Sequence, residues 1–253
     1  MLKQRKNKKQ SGVPEVVATF ANSVCEKQQR YGISALPPHM IIPLASGNGR
    51  SHTARSIARQ YYEANALKFS SRDICLDFSL KETVQRVCEI DADIQTNSEY
   101  AGDFCGVITF DLDALIQRIR ELPGNKFFEL VAKIKKNATL IIFVPVDCTQ
   151  NNIDYIAEKI GAGVKVFPPI MYSDEDFARL FYEFLPSEIV LAKSDDDFQN
   201  VKGHIGDRII KTLRNKTIKN IKEAAEAIFY NDELRESIFG KSEKSKEIGG
   251  IVQ

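Results

Sequence analysis

Apolar positions along this chain fall into short blocks that switch between two spacings, and the switching predicts strands alternating with helices. Met40–Leu44, Asp73–Phe78, Phe104–Phe110, Thr139–Val144 and Val164–Phe167 are compact apolar runs bounded by Gly, Pro or polar turns, and each reads as a strand. Apolar residues three and four apart predict helices over Thr53–Asn65, Leu80–Ile90, Leu112–Arg120, Phe127–Lys135 and Ile153–Ile160, with breaks at Pro123-Gly124 and Gly161. A helix over Asp174–Leu185 follows, with Ser173 placed to cap it. The strands show little in–out alternation, which is the pattern of a sheet covered on both faces. The expected fold is α/β: a five-stranded parallel sheet with helices on both faces, spanning residues 37–186.

From Pro186 onward the pattern changes. Ile189–Lys193 is short and apolar, Ser194–Asp197 reads as an acidic turn, and Ile205–Leu213 and Ile218–Phe229 read as helices. Residues 187–239 are thus expected to form a small helical, lid-like subdomain. Residues 1–36 read as a basic extension with a leading helix, and 240–253 as a flexible tail.

Composition narrows the class. A chain of 253 residues with 43% hydrophobic content suits one large domain, or one domain with an appendage. The net charge of +1 argues against a polyanion binder, but Lys3, Arg5, Lys6, Lys8 and Lys9 form a basic run with no acid. Such a run either contacts nucleic acid or an acidic partner, or is simply a solvated terminus. The 5 cysteines form no C-x-x-C pair, and Cys75, Cys105 and Cys148 lie in or beside apolar runs where a free thiol packs as a small hydrophobe, which suits a reducing cytoplasm. His39, His52 and His204 lack zinc-ligand spacing. No apolar run approaches the ~18 residues needed to span a bilayer, and no signal peptide is evident, so no membrane partner is expected.

The candidate chemistry lies where the first strand meets its helix. Ile41–Arg55 resembles a phosphate-binding loop, G-x-x-x-x-G-K-[ST], with two parts altered: Leu44 stands for the first Gly and Arg50 for the Lys. Gly47, Asn48 and Gly49 can turn backbone N–H groups toward phosphate, aided by the following helix N-terminus. Arg50 keeps the charge as a planar fork, and Ser51 offers a hydroxyl to magnesium. An ordinary strand–turn–helix junction would use the same Gly and Asn residues without any phosphate.

Gly106–Asp111 has the form of a Walker B strand, apolar and ending in an acid that holds magnesium. The following position, usually a Glu that orients the attacking water, is Leu112, and Asp113 comes one place later. Asp111 is equally suited to cap the next helix. His52 either contacts phosphate or faces solvent, and Arg55 and Arg59 read as a solvated helix face.

Loop and strand together resemble the AAA+ ATPase family over roughly Pro37–Leu185. Gly47–Ser51 looks like the family's Gly-x-Gly-Lys-Thr, and Val107–Leu115 like its Walker B strand and the helix beyond. Leu140–Asp147 looks like the strand carrying sensor 1, with Asp147 and Thr149 as candidates. Gly206-Asp-Arg208, read as opening a helix, resembles the sensor 2 turn. The helix before the fifth strand offers only Lys159 in place of the family's arginine finger.

The resemblance implies ATP or ADP with Mg2+ as ligands, held by Gly47, Asn48, Gly49, Arg50, Ser51, His52 and Arg208, with Ser51 and Asp111 on the metal. Asp111 and Asp113 are the catalytic candidates. It also implies a homo- or hetero-oligomer with AAA+-like or other protein subunits. Three hydrolytic parts are altered, and losing even one such group typically costs orders of magnitude in rate. The leading expectation is a scaffold or regulatory subunit with little turnover. The alternatives are an ATPase completed by a partner subunit and an interaction module that needs no nucleotide.

Overall fold

The computed structural model describes residues 13–31, 37–64, 106–113, 116, 126–135, 138–186, 189 and 194–239. They fall into two compact units, Val13–Met171 and the chain from Tyr172 onward.

The first unit runs α1 (Glu15–Tyr31), β1 (His39–Pro43), α2 (Arg50–Glu63), β2 (Gly106–Asp111), α3 (Lys126–Ile134), β3 (Ala138–Val144), α4 (Gln150–Ile160) and β4 (Val164–Val166). Its four described strands form one parallel sheet in the order β2-β3-β1-β4. The expected fifth strand over Asp73–Phe78 and the helix over Leu80–Ile90 lie outside the described residues, as does most of Leu112–Arg120. The parallel α/β arrangement agrees with the reading of the sequence; four strands, not five, are described.

Every residue of β3 is buried, and Met40, Ile41 and Ile42 are consecutively buried in β1. A strand with no exposed face must be covered on both sides, which is why these segments lack alternation. Ile41, Ile142 and Val144 share one core with Phe128 and Val131 of α3 and Ile153, Ile156 and Ile160 of α4. α1 packs against α2, and its Phe20 meets Phe167 edge to face at 5.5 Å. Cys25 is buried on α1, and burial pushes its thiol up to about 11, so it stays protonated and inert.

Register at the strand ends positions the site. Phe110 pairs with Ile142 and Asp111 with Phe143, while Pro43 pairs with Val144. The last residues of β1, β2 and β3 therefore finish side by side, and each strand hands over to its loop at the same edge. This is the edge at which open parallel sheets present their ligands.

At the opposite end, His39 begins β1 and its Nδ1 accepts the Leu140 N–H at 3.1 Å. Burial first, then the charge of Lys135, depresses its pKa below the ordinary 6.5. The folded chain thus resists a proton that the unfolded chain accepts. Stability from this group is complete above pH 6.5 and falls as pH drops from 6.5 toward the depressed folded value. Thermal unfolding between pH 7 and pH 5 checks this: the melting temperature of wild type should fall on acidification, and His39→Gln should flatten part of that slope.

The second unit contains α5 (Asp174–Phe184), α6 (Asp195–Arg208), a 3-10 turn at Ile210–Thr212, α7 (Ile218–Ala227), a 3-10 turn at Ile228–Tyr230 and α8 (Asp232–Phe239). Ser173 caps α5 as expected, accepting the Asp176 N–H while Asp176 reaches back to Ser173 N–H at 2.8 Å, a capping box. The sequence reading groups this helix with the sheet domain. Its apolar face, Phe177, Leu180 and Phe181, instead shares a core with Phe198, Ile205, Ile210, Ile221 and Ile228.

The supposed acidic turn Ser194–Asp197 is a helix start. Ser194 Oγ accepts the Asp197 N–H at 3.1 Å, and Asp195, Asp196 and Asp197 sit on the positive end of α6. Consequently Gly206–Arg208 closes this helix and does not open one.

Candidate functional site

β1 ends beneath a turn with two residues in the left-handed region. Leu44 donates its N–H to Val144 O at 3.0 Å and bridges to Ile170, so this position is locked into the sheet edge. Asn48 N–H closes back on Ala45 O at 3.1 Å, with Gly47 at φ 80° and Gly49 at φ 82° on either side. Those angles favour glycine, because a Cβ would crowd the backbone there. α2 then begins at Arg50, three residues earlier than the periodicity indicated, and its first turn is closed by Thr53 N–H to Gly49 O at 2.8 Å. The loop therefore has the strand–glycine turn–helix form expected of it.

Leu44 shows why the first glycine of the pattern is dispensable in this chain. It is fully buried, and its side chain belongs to the interior. Asn48 is also buried, Ser51 is half-buried, and His52 is exposed on the first turn of α2.

Arg50 departs most from the expectation. Its side chain is only 5% exposed and is directed across the strand ends. Nε donates to Leu44 O at 2.6 Å, and Nη1 donates to Asp111 Oδ2 at 2.5 Å and Asp113 Oδ2 at 2.8 Å. Nη2 donates to Asp113 Oδ1 at 2.8 Å and Val144 O at 3.3 Å. An arginine has five N–H donors, and all of them are matched here within the protein. The guanidinium also lies 5.9 Å from the centroid of the Phe143 ring.

Each carboxylate oxygen accepts one bond within the protein. Asp113 uses both oxygens on the fork, and the Oδ1 of Asp111 accepts the Asp113 N–H at 3.2 Å. That last bond is a local side-chain-to-backbone turn of the kind Asp makes at helix starts. Asp111 thus serves as a turn-former and as an ion-pair partner at once. Burial alone would lower the Arg50 pKa, but hydrogen bonds to Asp113 and Asp111 and their charges outweigh it, so the group is held above its ordinary value and stays charged.

The structure thus brings Arg50, Asp111 and Asp113 together under the Gly47–Ser51 loop. Arg208 belongs to the second unit, exposed on the last turn of α6. Asp147 is exposed in the turn after β3, Thr149 precedes α4 with no side-chain cap bond, and Lys159 lies over the Tyr155 ring at 5.3 Å.

Sequence reasoning missed the inward course of Arg50. A signal existed in composition alone: Asp111 and Asp113 place two acids one residue apart at a strand end, and the loop after β1 carries an arginine of opposite charge. No sequence signal indicated the carbonyls of Leu44 and Val144.

The arrangement bears directly on the magnesium that the resemblance implies. Magnesium needs oxygen ligands at 2.0–2.1 Å in near-octahedral order. Here all four carboxylate oxygens already accept hydrogen bonds, three of them from one guanidinium that occupies the space between the two acids. These residues do not fit a metal in this arrangement. Among the described residues, no group of three His, Cys, Asp or Glu side chains gathers to hold one elsewhere. No helix of the described residues is long and apolar enough to cross a membrane.

No protein-family model matches the chain, and no curated protein matches it. Solved structures do. Domain III of the replication initiation protein DnaA from Thermotoga maritima matches at 12% identity and a TM-score of 0.45, over 89% of this chain and 91% of that one. PCH-2 of C. elegans matches at 12% identity and a TM-score of 0.43, over 92% and 67% respectively. The Thermotoga maritima RuvB Holliday junction branch migration motor matches at 13% identity and a TM-score of 0.46, over 92% and 74%. The solved structures to which this chain is similar thus include AAA+ ATPase domains, at low identity and modest TM-score.

Proposed function

We propose that this chain is an AAA+-like domain that works by assembling with other protein subunits, as a scaffold or regulatory component, and not by hydrolysing nucleotide at its own loop. The single observation that carries this reading is the closed set of bonds around Arg50. A loop cation that assists phosphoryl transfer must face the phosphates, and an acid that orients water must turn an oxygen toward it. Arg50 directs all its donors beneath the loop, and both oxygens of Asp113 are turned toward Arg50. This also weighs against an ATPase completed by a partner, since an added residue would meet a loop whose own charge is already used.

ATP or ADP enters the proposal only through the backbone of the turn. The left-handed glycines and the start of α2 retain the shape of an anion cradle. A nucleotide held there is held without Arg50 and without magnesium on Asp111. Nucleic acid at Lys3–Lys9 remains a proposal from charge alone, and the cytoplasm one from the thiols.

The test uses the full chain with ATP and Mg2+. Phosphate release is expected to stay at background, and turnover abolished by Asp111→Ala would overturn the reading. Thermal shift in the same samples separates its two forms: ligand that binds the native state raises the melting temperature. A rise with ATP or ADP, unchanged by Mg2+, fits a nucleotide-holding scaffold; no rise fits a nucleotide-independent module.

A further inference from the structure

We propose that the Arg50 guanidinium is the resident cation of a two-carboxylate cradle, standing where a divalent metal would otherwise bind and keeping it out. The inference rests on the reading of the loop as a closed site and adds what closes it and against which ligand. Asp111 and Asp113 converge on one side chain, with guanidinium nitrogens 2.5 to 2.8 Å from three of their oxygens. Two carboxylates held this close, with nothing between them, would repel one another. Hard oxygen donors in such a pair are magnesium and manganese chemistry. The guanidinium therefore occupies a cradle whose donor set suits a metal.

Displacing it is difficult for two reasons. The fork is also tied to Leu44 O and Val144 O, two main-chain acceptors that would lose their partner. The side chain is also packed in the interior, so its departure gives up those contacts and leaves space behind it. Lysine at this position, a compact ammonium with three donors, could not span both acids and both carbonyls. An arginine where the phosphate-loop pattern has lysine thus gives the cradle its own cation.

Manganese titration of the full-length chain, without nucleotide, followed by electron paramagnetic resonance of the free ion, tests this. Wild type is expected to bind no stoichiometric Mn2+ at the cradle. Arg50→Gln is expected to bind one Mn2+ at least tenfold more tightly than wild type, and to lose it again in Arg50→Gln/Asp111→Asn/Asp113→Asn. Wild-type binding of one Mn2+ that Asp111→Asn abolishes would overturn the proposal, as would a folded Arg50→Gln variant no tighter than wild type. Should Arg50→Gln not fold, Arg50→Lys is judged by the same tenfold criterion, and an affinity equal to wild type overturns the idea.

The two readings fail separately. A wild-type chain that takes Mn2+ in the cradle without hydrolysing ATP defeats only metal exclusion. One that hydrolyses ATP while the cradle takes no metal defeats only the non-hydrolytic role.

Discussion

Arg50→Ala is expected to destabilise the sheet unit by about 3 kcal/mol, the low end of what breaking a buried ion pair costs by removal of one partner. The low end applies because the acids are not fully enclosed: Asp111 is 26% and Asp113 37% exposed. Three penalties combine. Asp111 and Asp113 face each other with no counter-ion, the carbonyls of Leu44 and Val144 lose a donor, and the buried aliphatic stem leaves space behind it. Urea unfolding followed by far-UV circular dichroism measures the loss; the chain contains no Trp, so tryptophan fluorescence offers no probe.

Removing the acids together with the cation should recover much of it. Arg50→Met/Asp111→Asn/Asp113→Asn is expected to lie closer to wild type than Arg50→Ala does, because no uncompensated charge remains. A loss below about 0.5 kcal/mol for Arg50→Ala, the scale of an ordinary surface change, would sink the view that this arginine holds the strand ends together.

Phe181→Ala should have a comparable effect in the other unit, with a sharper outcome. Phe181 is fully buried on α5, at the centre of a core made with Phe177, Phe198, Ile205, Ile210, Ile221 and Ile228. Truncating a buried Phe costs about 3–5 kcal/mol. A core serving fewer than about 70 residues rarely supplies more than that in total. The substitution is therefore expected to unfold the helical unit outright. Hydrogen exchange reads this by segment: amides of α5 through α8 should lose protection while those of β3 keep theirs. Equal loss in β3 would show that the two cores do not stand independently.

The parts of this fold legible in the sequence are those where burial writes directly onto residue type. β1 and β3 read as strands because consecutive Ile, Leu, Phe and Val side chains are buried on both faces. α5 was legible from Ser173 and its acidic first turn, since capping is local chemistry. α4 begins three residues before its first apolar position because Gln150, Asn151 and Asn152 carry no periodic signal. The acidic run at Asp195–Asp197 misled for a related reason. The same residues suit a solvated turn and the positive end of a helix, and only the Ser194 bond decides between them.

The site was legible in its parts and not in its connections. The strand, the glycine turn and the helix after it were readable from Ile41–Arg55. Apart from Leu44 O, what Arg50 bonds to lies 61 to 94 residues away along the chain, on strand ends that become neighbours only when the sheet forms. Side-chain direction across such distances leaves no local trace, apart from the paired spacing of Asp111 and Asp113.

That same pairing makes the three positions unequal in the changes they tolerate. With the guanidinium in place, each acid is satisfied only while Arg50 persists, and Arg50 is satisfied only while both acids persist. Replacing either acid alone leaves one cation facing one carboxylate, whereas replacing Arg50 leaves two carboxylates with no counter-ion. The clasp therefore fails from its cation side: loss of an acid still leaves a matched pair at the sheet edge, while loss of the arginine removes the one group that joins the ends of all three strands.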